Sequence, residues 1–127
     1  MICLDANYLI RTLVQNSDES RRVMDWYRDG VVLCASSVAW YEFLCGPVSE
    51  KDIRIVRALL SGGVIGFETK QADKAATLFN DTGRIRNLKV DAMIAACAIC
   101  ANAKLATDNL DDFRRFVPFG LSLTHDL

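Results

Sequence analysis

Four short runs rich in apolar residues, at 1–4, 31–35, 64–67 and 104–107, are separated by longer segments with helical periodicity. No other feature constrains the fold as much. The runs are short and bounded by turn residues, and they lack the in–out alternation of a sheet wetted on one side. They therefore read as strands buried on both faces, the mark of a parallel sheet covered by helices. Parallel neighbours need long crossover connections, and the intervening segments supply them.

Those segments carry their own punctuation. Residues 7–14 form an expected helix with Leu9, Ile10, Leu13 and Val14 on one side. Ser17-Asp18-Glu19-Ser20 opens a second helix, which Gly30 closes. Ser36-Ser37 caps a helix to about residue 44, stopped by Gly46-Pro47. Further helices are expected at 51–60, at 69–82 with Thr69 as cap, and at 89–101. A helical turn follows at 111–116, then a weak fifth strand at 121–123. The expectation is a three-layer α/β/α sandwich with a mostly parallel central sheet. It forms a single domain over residues 1–127, a length ordinary for one domain.

Composition narrows the class. Apolar residues are 51% and charged residues 24%, so the chain is expected to fold around a core. No run of about 18 apolar residues is present, so no membrane span is expected. Met1-Ile2-Cys3-Leu4-Asp5 lacks a basic region and is not expected to act as a signal peptide. Fifteen Lys+Arg against sixteen Asp+Glu leave a net charge of −1. Any nucleic-acid role therefore needs a local basic patch or bound cations. The five cysteines are odd in number and lie mostly in apolar runs, as expected of reduced thiols in a cytoplasmic protein. Cys97 and Cys100 have C-x-x-C spacing, but they fall inside an apolar helix. The only histidine is His125, so a zinc site is not expected.

In parallel α/β sheets, ligands bind where the strands end. Asp5 follows the first strand. Glu42 lies in the helix after the second, between Trp40-Tyr41 and Phe43-Leu44, where an unpaired charge is costly. Asp91 opens the apolar helix at 89–101. Thr107-Asp108-Asn109 ends the fourth strand, with Asp111 and Asp112 beyond it. Each acid also has a plainer reading: Asp5 as a helix cap, Asp91 as a partner of its helix dipole, and the loop acids as solvated surface. Four sequence-distant segments offering carboxylates to one sheet edge point to an oxygen-only site for Mg²⁺ or Mn²⁺ and to phosphodiester hydrolysis.

At these residues the chain resembles the PIN-domain ribonucleases, specifically the toxins of VapBC-type toxin–antitoxin systems. Met1-Ile2-Cys3-Leu4-Asp5-Ala6-Asn7 is similar to the family's opening strand and D-x-N/S. Ser37-Val38-Ala39-Trp40-Tyr41-Glu42-Phe43 resembles its S-x-x-x-x-E helix. Val90-Asp91-Ala92-Met93-Ile94-Ala95-Ala96 resembles its D-x-x-I-A-A start, and the segment from Leu105 to Phe113 its closing T-x-N/D-x-x-D-F. The resemblance implies a PIN-like fold and a Mg²⁺-dependent endoribonuclease with Asp5, Glu42 and Asp91 as core acids. The fourth ligand stays open between Asp112, Asn109 and Asp108, with Asp112 preferred. Asn7 and Thr107 are implied as polar supports of the ligands. The RNA backbone is expected along Arg84, Arg86 and Lys89, with Arg11, Arg21 and Arg22 as further candidates. The resemblance also implies an antitoxin lying in a groove near the first helices and the Glu42 helix, with Trp26, Tyr27, Trp40 and Tyr41 as candidate lining. The assembly expected is a homodimer or a toxin–antitoxin hetero-oligomer.

Two other readings compete. A receiver-type phosphoacceptor domain needs adjacent acids after the first strand, an aspartate ending the third and a lysine ending the fifth. This chain has Asp5 alone, Phe67-Glu68 near the third strand's end, and Lys104 at the start of its strand. A catalytically weak PIN-like module that binds RNA or protein is suggested by Asn109 standing where an acid is expected.

Overall fold

In a computed structural model, which describes residues 1–126, the apolar runs pair into one sheet. The strands are β1 (Ile2–Leu4), β2 (Leu33–Ser36), β3 (Val64–Ile65), β4 (Lys104–Ala106) and β5 (Ser122–Leu123), in the order β3-β2-β1-β4-β5. Every pairing is parallel, so the sheet is wholly rather than mostly parallel. β1 is central, with Cys3 opposite Cys34 on one side and Leu105 on the other. All residues of β1 and β2 are buried. That requires cover on both faces, and among the described residues seven helices provide it: α1 (Ala6–Thr12), α2 (Asp18–Arg28), α3 (Ser37–Leu44), α4 (Glu50–Leu59), α5 (Thr69–Asp81), α6 (Lys89–Cys100) and α7 (Leu110–Phe113).

Several boundaries differ from the sequence reading for local reasons. α1 begins at Ala6 because Asp5 caps it, its carboxylate accepting from the Ala6 N–H at 2.8 Å. β2 starts at Leu33 because the Val31 amide turns back to the Trp26 carbonyl at 2.9 Å. Ser49 and Asp52 form a reciprocal capping box that starts α4 at Glu50. The cap residue of α5 is Glu68 rather than Thr69, and its amide donates to Gln71 Oε1. β3 is only two residues long. Beyond it, the Phe67 amide leaves the sheet to donate to Ser37 Oγ at 3.1 Å, tying the β3 exit to the start of α3. The expected turn at 111–116 divides into α7 and a 3₁₀ segment, Arg114–Phe119. Gly62 is required by packing: a Cβ there would stand 2.8 Å from Val32 Cγ1 and 3.0 Å from the Leu33 carbonyl oxygen.

The core runs through the sheet into α6, whose Ala92, Ala95, Ala96 and Ala98 are buried and let neighbouring elements approach closely. Cys3, Cys34 and Cys97 are buried thiols, whereas Cys45 is exposed. Among the described residues no helix is long and apolar enough to cross a membrane.

Candidate metal centre

The strand order reverses between β1 and β4. The chain runs outward from β1 through β2 to β3, then crosses back to start again on the other side of β1. A crevice forms at the carboxyl ends of strands at such a reversal. Asp5 and Thr107 follow directly on β1 and β4 there. Both are buried, and Thr107 Oγ1 donates to Asp5 Oδ2 at 2.7 Å. Asp5 Oδ1 is already taken by the Ala6 amide, so this carboxylate is fixed by two donors. Thr107 Oγ1 in turn accepts from the Asn109 amide at 3.0 Å. Asn7 Oδ1 accepts from the Asp108 amide at 3.3 Å, tying the β4 exit to α1. Asn7 and Thr107 thus both brace the loops that carry the acids.

Asp91 stands in the first turn of α6, half-buried. A helix N-terminus favours its ionised form. Burial nevertheless dominates, and the carboxylates of Asp5, Asp112 and Glu42 add to it, so the Asp91 pKa is pushed up to about 6. Burial, and then Asp5, raise Glu42 as well. Asp5 is raised by burial, against the pull of its Thr107 and Ala6 hydrogen bonds. Asp5, Glu42, Asp91 and Asp112 therefore share one field. Among the described residues none of the four has an ion-pair partner. Nor are any three Asp, Glu, His or Cys side chains gathered tightly enough to hold an ion as they stand. The side chains available are all oxygen donors, the kind that hard divalent cations take.

The closing segment separates its candidates. Asp112 is half-buried, accepts from Asn109 Nδ2 at 3.0 Å, and contributes to the rise of Asp91. Asp108 is exposed. It raises Asp5, and after burial its own strongest influence is Glu19, opposed by Arg11. Asp111 is almost wholly exposed and faces Arg114 at 3.6 Å. Arg115 was missed in the sequence reading: it is half-buried, its Nε donates to the Asp112 carbonyl at 3.1 Å, and its charge lowers Asp91. Its i+3 spacing from Asp112 was the available signal.

The basic candidates divide similarly. Arg84, Arg86 and Lys89 are exposed just before Asp91 and have no ion-pair partner among the described residues. Arg84 takes a left-handed backbone (φ 56°) and its Nη1 donates to Asn80 Oδ1 at 2.6 Å. Arg11 is held by both oxygens of buried Glu19, and Arg21 by Asp18, while Arg22 donates to Tyr8 Oη. Those three serve the α1–α2 pair. Trp40 and Trp26 pack into the core, Trp40 against Phe43 and Trp26 stacked on Tyr8; Tyr27 and Tyr41 remain exposed. A cleft of about 520 Å³ opens at the opposite end of the strands, lined by Met1, Lys104 and Ser122 among others, and carries no acid.

A family model described as PIN domain matches residues 2–117. Among solved structures, the chain is similar to DNA-bound VapBC from Salmonella typhimurium, with TM-score 0.72 and 22% identity over 96% of this chain and 95% of that one. It is also similar to VapBC2 from Rickettsia felis bound to a promoter DNA fragment, with TM-score 0.71 and 23% identity over 97% of both chains. FitAcB from Neisseria gonorrhoeae gives TM-score 0.67 and 19% identity, covering 97% of this chain and 96% of that one. At these identities the likeness concerns the fold. None of the curated proteins compared matches this chain.

Proposed function

The chain belongs to the PIN domain family, and from that premise we propose that it is a Mg²⁺-dependent endoribonuclease, the toxin of a toxin–antitoxin pair. The observation that carries this reading is Asp5, buried and held by Thr107 where β1 and β4 end, with Asp91 raised to about 6 by burial and by the charges of Asp5, Asp112 and Glu42. Such a site holds more negative charge than the protein neutralises, the condition a hard divalent cation relieves. Asp5 and Asp91 would hold the ion, with Asp112 supplying further charge. Bound there, Mg²⁺ would neutralise charge on the phosphate and acidify a water.

The side chains have distinct parts in this chemistry. Thr107 and the Ala6 amide hold the Asp5 carboxylate in one orientation. Glu42, exposed at the crevice rim and raised in pKa, takes a proton from the attacking water, or holds a second ion. Water then adds at phosphorus as a P–O ester bond breaks. Arg84, Arg86 and Lys89 offer the RNA backbone positive charge beside Asp91. The antitoxin partner, and assembly with it, rest on likeness to structures described as VapBC and toxin–antitoxin complexes; a homodimer rests on the family resemblance alone. Free cysteines favour the cytoplasm as its place.

The test is cleavage of labelled single-stranded RNA by the purified protein. Cleavage is expected with Mg²⁺, to stop with EDTA, and to be lost in Asp91→Asn. Full cleavage in EDTA or by Asp91→Asn overturns the reading. RNA binding without cleavage would leave the binding-module alternative standing.

A further inference from the structure

Two thiols face each other at the centre of the sheet. Cys3 of β1 and Cys34 of β2 are register partners, so their side chains leave the same face of neighbouring strands. Paired strands lie about 4.8 Å apart, inside the Cα separation of about 4.4–6.8 Å that a disulfide spans. The two sulfurs stand 2.8 Å apart, with one S–H shared between them, and Cys34 Sγ also reaches the Ile2 carbonyl at 3.6 Å. Two unbonded sulfurs pack further apart than this, whereas a disulfide closes to about 2.05 Å. Both thiols are buried, yet the cover over Cys34 is thin. Exposed Gly62 crosses beside it, where a Cβ would stand 3.3 Å from Cys34 Cβ. Gly62 thus lays no side chain over Cys34.

A buried cysteine otherwise packs as a small apolar side chain. Cys97 fits that description, since among the described residues no hydrogen bond joins it to another sulfur. Cys3 and Cys34 are different because each already touches the sulfur it would bond. We propose that Cys3 and Cys34 form a two-electron oxidation site, closed to a disulfide by hydrogen peroxide and reopened by a dithiol. The Cys34 sulfur attacks one peroxide oxygen, the O–O bond breaks, and water leaves with the Cys34 proton, giving a sulfenic acid. The Cys3 sulfur then attacks the Cys34 sulfur, the S–O bond breaks, and a second water leaves with the Cys3 proton. The thiols give up two electrons and the peroxide gains them. A dithiol reverses the bond by exchange through a mixed disulfide and itself ends as a disulfide. The cross-link joins positions 31 apart. It fastens β1, which ends at Asp5, to β2, which leads into the Ser36 cap of α3. It needs no nuclease activity and stands apart from that reading.

The full chain is treated with hydrogen peroxide, and the remaining thiols are then alkylated in denaturant. Of the five cysteines, the parent is expected to alkylate all but this pair. Trypsin is expected to release residues 1–11 joined to residues 29–51. The second peptide also holds Cys45, so the linked pair should survive in Cys45→Ala and disappear in Cys34→Ala. Cys45 is exposed, which keeps the mapping informative even if Cys34→Ala fails to fold. On oxidation the melting temperature of the parent is expected to rise by roughly 5–10 °C, because the cross-linked chain has fewer unfolded states, and to return with dithiothreitol. Five alkylated thiols after treatment overturn the proposal. So does a bond between Cys97 and Cys100 or between two chains in place of this one, or a melting temperature that falls.

Discussion

Asp91 is where the helix dipole and the acid cluster oppose each other, and the cluster prevails. Its pKa rises from the ordinary 3.8 to about 6 on folding. A folded-state pKa above the unfolded one contributes stability below about pH 4 and loses it as pH rises through about 6. In EDTA at pH 7.5, Asp91→Asn should therefore melt higher than the parent, by about 3–4 °C for roughly 1 kcal/mol after solvent screening. The gain should shrink as pH falls toward 4. Glu19, held low by Arg11, titrates in the opposite sense but cancels in the comparison. Asp5→Asn should gain less, because Asp5 accepts from two donors and an amide offers one oxygen. In kinetic assays, Asp112→Ala should lower kcat/KM about 10- to 100-fold, whereas Asp108→Ala should stay near the parent. Equal values for the two would remove Asp112 from the site. Asn109→Asp exchanges an amide that donates to Asp112 for a second carboxylate. It should destabilise the EDTA-treated protein and steepen its Mg²⁺ dependence. At this scale the sequence marked Asp5, Glu42 and Asp91 as candidates because each ends a buried strand or interrupts an apolar run. Asp112 was preferred over Asp108 from the sequence, but the hydrogen bond from Asn109 to Asp112 depends on how the single turn of α7 is oriented. Arg115 reaches Asp91 only through the fold.

α6 shows why elements were easier to place than their ends. Its alanines at 92, 95, 96 and 98 are buried, and α5 packs closely against it. Leucine in place of Ala96 should overpack that contact and cost about 1–3 kcal/mol, read as a lower urea midpoint. Because α6 carries Asp91 on its first turn, activity should fall beyond what the unfolded fraction explains. The long apolar run rich in alanine marked this helix plainly. Boundaries escaped where a side chain acts across a turn. Ser49 with Asp52 and Glu68 with Gln71 each moved a helix start by one residue, and Ser37 shortened β3 from outside its own strand. The parallel sheet itself followed from apolar runs buried on both faces.

A net charge of −1 conceals an uneven distribution, with acids at the strand ends and cations just beside them at Arg84, Arg86 and Lys89. Mg²⁺ that binds only the folded chain stabilises it by mass action. At about 100 times its dissociation constant the melting temperature should rise roughly 10 °C in the parent. The rise should vanish in Asp91→Asn, and an equal rise in both would place the ion elsewhere. The bond between Thr107 and Asp5 joins positions 102 residues apart. β1, made first on the ribosome, becomes the central strand and waits for β4, made near the end. Until then the first acid has neither its bracing hydroxyl nor a completed crevice. Biosynthesis itself thus withholds the completed crevice, and under the proposed function an unfinished polypeptide would carry no working centre.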